Sequence, residues 1–145
     1  QIDTLSIHES IPSYGHLVTV GSGFASENPE TVRAFLRATA RGAVWATRNP
    51  DAAIDALVGA RPELEEVRTN QRDKWERMHS SYMRSSAVRE NGWGWSIPEP
   101  WEQTHETLVA GGFFDAPVEP DDVWTNEYLD TSDPYVGEFT ARVTE

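Results

Sequence analysis

The sequence contains no cysteine, which removes disulfides, thiolate metal sites and a cysteine nucleophile from any account of what the chain does. Lysine is almost absent: Lys74 stands alone, and arginine supplies the other eleven of the 12 basic residues. No apolar run approaches the length of a membrane span, and no signal-like apolar core is present. The 24 Asp and Glu leave a net charge of -12. A field of that sign repels phosphate backbones and anionic lipid surfaces, which argues against nucleic acid or a membrane surface as partner. Acidity with scarce lysine also suits a protein kept soluble in concentrated salt. A halophilic origin predicts an unfolding midpoint that rises between low and molar salt.

What is present is apolar enough to fold. Hydrophobic residues make up 38% of 145 residues, with six tryptophans, which fits one globular unit rather than a disordered chain. Ile2, Leu5 and Ile7 alternate loosely, and Leu17-Val18-Thr19-Val20 is a β-favouring run before Gly21-Ser22-Gly23, so two short strands are expected. Asn28-Pro29 opens a helix in which Val32, Phe35, Leu36, Thr39, Ala43 and Val44 mark one buried face, with Arg33, Arg37, Arg41 and Arg48 off it. Asn49-Pro50 repeats the capping chemistry for a second helix ending near Gly59. A longer helical pattern runs from Pro62 through Trp75 to Tyr82, and a fourth helix from Pro98 stops at Gly111-Gly112. Thr125 to Leu129 reads as one capped helical turn, and the polar residues beyond it read as a weakly packed tail.

Few residues invite catalysis. His8, His16, His79 and His105 are too scattered for a metal set, and no His-Glu-x-x-His helix exists. Gly21-Ser22-Gly23 begins like a dinucleotide loop, but Ser26 stands where the third glycine belongs. Paired carboxylates such as Asp121 and Asp122 lie in runs that read as solvated, not in a shielded cleft. Trp93-Gly94-Trp95 offers stacking area for a planar ligand, yet the reading of tryptophans that seal a helix onto the core is favoured. Tyr14 and His16 are the better site candidates. They flank Gly15 in an irregular connection, where ligand contacts concentrate.

Four passages in order carry a resemblance. They are Ile11 to Val18, Ala25 to Thr39, Arg41 to Ala53, and Val123-Trp124-Thr125-Asn126-Glu127-Tyr128-Leu129. Together they resemble the solute-binding proteins of ABC importers, in the branch handling alkanesulfonates, nitrate-like anions and thiamine pyrimidine precursors. The resemblance spans roughly residues 7 to 129 and implies an α/β fold. That fold is the C-terminal part of a type II periplasmic-binding-protein-like architecture, mostly helical here with a few short strands. Residues 1–129 would be the C-terminal portion of such a protein, and 130–145 its polar tail. Tyr14, Gly15 and His16 would line the inter-lobe cleft. The function implied is capture of a small-molecule ligand outside the cytoplasm and delivery to an ABC permease, without catalysis, cofactor or metal. The export signal would lie outside these residues.

In the pyrimidine-precursor members a Pro-Tyr-Tyr pattern is followed by a carboxylate. Here Ser13 replaces the first tyrosine and His16 stands where the glutamate would be, which leaves the ligand class open. Two other readings are a thiamine pyrimidine-precursor enzyme of the same fold, whose cysteine-rich motif this chain lacks, and a freestanding helical interaction module that pairs as a homodimer.

Overall fold

A computed structural model describes residues 13–81, 83–114 and 118–144. The described part is helical: α1 (Ser22–Glu27), α2 (Pro29–Arg48), α3 (Pro50–Ala60), α4 (Arg68–Ser81), α5 (Ser86–Asn91), α6 (Pro98–Ala110) and α7 (Phe139–Thr144), with 3-10 turns at Pro62–Val67 and Pro120–Asp122. The expected strand at residues 2 to 8 lies outside the described residues. Leu17 to Val20 is irregular, and no backbone ladder joins it to another segment among the described residues. An extended run becomes a strand only by pairing. This one instead leaves Leu17, Val18 and Val20 at 49%, 50% and 42% exposure.

The Asn-Pro corners form where the sequence puts them, by a different bond. Asn28 was expected to cap α2 with its side chain; its Nδ2 instead donates to Phe24 O at 3.2 Å, closing α1 behind it. Its carbonyl then accepts from Val32 N at 3.2 Å and opens α2. Asn49 does the same, donating from Nδ2 to Trp45 O at 2.9 Å while its carbonyl accepts from Ala53 N. Both asparagines take φ near -130° and leave the helical region, which a following proline disfavours for the residue before it. Each corner therefore ends one helix and starts the next within two residues.

The helix expected from Pro62 begins as the 3-10 turn and becomes α-helical only at Arg68, a common way for a helix to start. Arg72 reaches Asp51 at 3.1 Å and Arg68 pairs with Asp55, joining α3 to α4. These pairs are exposed and contribute little each. The chain then breaks, and Ser85 accepts from Val88 N at 3.3 Å to cap α5.

The core joins residues far apart in the sequence. Ala43 and Val44 of α2 meet Val88 of α5 and Phe139 and Val143 of α7, with Trp75, Met83, Trp93 and Tyr135 packed around them. Residues 130–145 were expected to be a weakly packed tail. Two of the best-buried side chains in the described structure, Val136 and Phe139, both at 0% exposure, come from that tail. Its polar majority hides three apolar residues that all point inward. Phe35 is the converse correction: read as part of the buried face, it is 57% exposed. The face that α2 buries runs through Val32, Ala40, Ala43 and Val44.

The arginines of α2 also do more than face solvent. Arg33, Arg37 and Arg41, each one turn after the last, meet the returning segment in step. Arg33 Nη1 donates to Glu127 O at 2.7 Å, Arg37 pairs with Asp130 at 3.8 Å, and Arg41 pairs with Asp133 at 3.3 Å. Two of the three also lie over aromatic rings: Arg33 over Tyr128 at 5.6 Å and Arg41 over Tyr135 at 5.0 Å. A planar guanidinium suits such mixed contacts better than a lysine ammonium does.

His79, near the end of α4, is held below the usual imidazole range, first by burial and then by the nearby Arg84 guanidinium. Its neutral form is the one the fold favours, so the unfolded chain takes up the proton first as pH falls. Stability from this residue is present above the ordinary histidine value and declines as pH drops through it. Between pH 7.5 and 5.5 the urea midpoint should fall further for the native sequence than for His79→Gln. Equal falls would show that His79 is not desolvated.

Candidate ligand-binding site

Ser96 and Ile97, just before α6, have both backbone groups engaged by side chains from distant parts of the sequence. Tyr14 Oη accepts from Ile97 N at 2.7 Å and donates to Ile97 O at 3.3 Å. Asn126 Oδ1 accepts from Ser96 N, and its Nδ2 donates to Ser96 O, both at 2.9 Å. One side chain thus serves each residue. The 13–16 connection and the 124–129 turn are thereby fixed on either side of one loop. That turn is not the helical turn expected of Thr125 to Leu129: Thr125 Oγ1 accepts from Glu127 N at 3.1 Å, and Leu129 N donates to Asn126 O at 3.0 Å.

Aromatic rings gather on this junction. Tyr14 lies 5.3 Å from Trp101 between ring centroids, and Trp101 stacks with Trp124 at 6.2 Å with planes 4° apart. Trp101 and His105 are one helical turn apart on α6, and His105 stacks with Phe114 at 6.0 Å. The nitrogens of this cluster are unusual. Trp101 Nε1, His105 Nε2 and Trp124 Nε1 are all buried, and none has a hydrogen-bond partner among the described residues. A buried unsatisfied donor costs about 1–3 kcal/mol, and most native polar groups avoid that cost. Phe113, next in the chain to Phe114, is 75% exposed.

Of the residues singled out in the sequence, Tyr14 is half-buried with its hydroxyl committed to Ile97, while Gly15 and His16 are exposed beside it. A methyl group on Gly15 would meet nothing within 4 Å. Trp93 belongs to the core, with its ring 6.4 Å from Phe139. Trp101, His105, Trp124 and Asn126 were not read as site residues. For Trp101 and His105 the only sequence signal was their i, i+4 spacing, which is equally that of a packed helix, whereas Trp124 and Asn126 lay inside a passage that carried the resemblance. Tyr14→Phe should speed hydrogen exchange at the Ile97 amide and cost about 1 kcal/mol of stability. Unchanged exchange would show that the phenol does not hold the loop.

No cluster of three metal-ligating side chains occurs among the described residues, and no described helix is long and apolar enough to cross a membrane. Residues 2–53 match the family model described as NMT1/THI5 like, and part of that match, residues 13–53, runs from the Tyr14 connection to α3. The riboflavin-binding protein RibY of Chloroflexus aurantiacus is 28% identical over 112 residues, 77% of this chain and 32% of that protein. The resemblance read from the sequence is borne out. The formylaminopyrimidine-binding protein of Halalkalibacterium halodurans is 27% identical over 123 residues, 80% of this chain and 35% of that protein. Both relatives are named as binding proteins, not as enzymes. The chain spans about a third of the length of the curated relatives it matches. No solved structure matches it.

Proposed function

We propose that this chain is the C-terminal portion of an extracytoplasmic solute-binding protein that captures a small molecule and hands it to an ABC permease, without catalysing a reaction. One observation carries the reading: two ligand-binding proteins align with more than three quarters of the chain. The geometry agrees with it. An exposed Gly15 and His16 stand beside a rigidly held Tyr14, which forms a wall on which a second lobe could close. Riboflavin and a formylaminopyrimidine both contain planar heteroaromatic rings, so a ring-bearing solute is the first class to test.

His16 offers an imidazole that donates or accepts a hydrogen bond at the cleft edge. Tyr14, its hydroxyl occupied, offers its ring edge and shape rather than a free hydrogen bond. The full-length gene product should retain a small molecule detectable by native mass spectrometry. His16→Ala and Tyr14→Ala should weaken its rebinding in calorimetric titration. A product that carries and binds no solute sinks the proposal, and unchanged affinity in both variants removes these residues from the wall.

A further inference from the structure

We propose that the solvent-facing side of α2 is an internal interface, covered in the full-length gene product by a helix from the part of the polypeptide outside these 145 residues. The proposal rests on the reading of this chain as one portion of a longer protein and is independent of the solute which that protein binds. It begins from a helix with two apolar faces. Val32, Ala40, Ala43 and Val44 line the side of α2 that is buried in the core. Thr31, Ala34, Phe35, Ala38, Gly42 and Trp45 are all exposed, and at about 3.6 residues per turn they fall together on the other side. None of the six is charged. Arg33, Arg37 and Arg41 form a separate row, engaged with the returning segment. A helix that faces water carries its charges on the outer side, and one that is apolar on both sides is buried on both.

The stripe has the form of a seam for a second helix. Phe35, Ala38, Gly42 and Trp45 are spaced i, i+3, i+7 and i+10, the repeat by which one helix packs along another. Phe35 and Trp45, at 57% and 49% exposure, stand at its ends, and only small residues lie between them. A methyl group added at Gly42 would meet nothing within 4 Å. A second backbone can therefore approach closely at the middle while the two rings close around it. The partner that fits is a helix with small or branched apolar residues on one face and no charge at its centre.

Two observations identify where that helix comes from. The chain covers 32% and 35% of its two named relatives, so a protein of their length brings about twice as much further polypeptide. Leu17, Val18 and Val20 are exposed as well and join no ladder among the described residues, so a second apolar segment also awaits a partner. A second copy of the chain fits less well, because it would bring another net charge of -12 to the contact.

The test uses the full-length gene product carrying Ala38→Cys, a change small enough to leave the helix intact. Reaction of that thiol with a water-soluble maleimide, read by mass spectrometry of its peptide, is expected to be at least about tenfold slower in the native protein than in urea. A p-benzoylphenylalanine placed at Phe35 is expected, on irradiation, to join a peptide outside residues 1–145 of the same molecule. Native reactivity equal to that in urea overturns the interface, and so does an adduct to a second copy or to residues 1–12. Should the photoreactive variant fail to fold, the thiol decides: protection that is lost on dilution marks a second copy and overturns the proposal. Protection in a product that binds no small molecule leaves the interface standing and brings down the solute-capture reading alone.

Discussion

Phe139→Ala should lower stability by about 3–5 kcal/mol, a large part of the ~5–15 kcal/mol that holds a typical domain together. The ring is at 0% exposure and lies between α2, α5 and the Trp93 indole, so truncation leaves a cavity that no single neighbour can fill. Phe113→Ala is the internal control. That ring is 75% exposed, and its loss should stay within about 0.5 kcal/mol. Urea midpoints for the two variants settle the matter. Equal, small losses would mean that the C-terminal segment is a loose tail after all.

Gly92→Ala is expected to cost about 2–4 kcal/mol, from two sources that act together. Gly92 takes φ +109°, a conformation that side chains with a Cβ rarely adopt. A Cβ there would also stand 2.8 Å from Val136 O, the atom that accepts the Trp93 N–H at 2.7 Å. Relieving the clash would therefore stretch a hydrogen bond that ties the loop after α5 to the core. Gly42→Ala should do the opposite. It sits inside α2 with nothing within 4 Å of the added methyl group, and should gain about 0.5–1 kcal/mol. A loss at Gly42 as large as the one at Gly92 would count against the local geometry at both.

Helix punctuation was legible in the sequence because its rules are local. Pro29, Pro50 and Pro98 each stand at the first turn of the helix they announce, and Gly111 follows the last residue of α6. What each helix packs against was less legible. Periodicity on α2 admits Phe35 and Leu36 equally, and the choice of buried stripe depends on where α7 docks, nearly a hundred residues away. The tail was misread for a related reason: averaged composition marks residues 130–144 as polar, and only three-dimensional packing selects Val136, Phe139 and Val143.

The candidate site divides along the same line. Tyr14, Gly15 and His16 drew notice through their loop chemistry and the family resemblance. Asn126 lay inside a passage that carried the resemblance, but its bidentate hold on Ser96 is a contact between positions thirty residues apart. The three unpartnered nitrogens are invisible in sequence, since tryptophan spacing does not reveal whether an indole N–H has an acceptor.

The clasp of α2 by the returning segment sets a condition on synthesis. Val44 is made long before the residues that cover it, Phe139 and Val143. The ribosome must therefore release nearly the whole of this region before Val44 can leave water, and until then a nascent helix exposes its apolar stripe to chaperones and to other chains. A stop codon introduced near residue 130 would remove Val136, Phe139 and Val143 and leave the interior open.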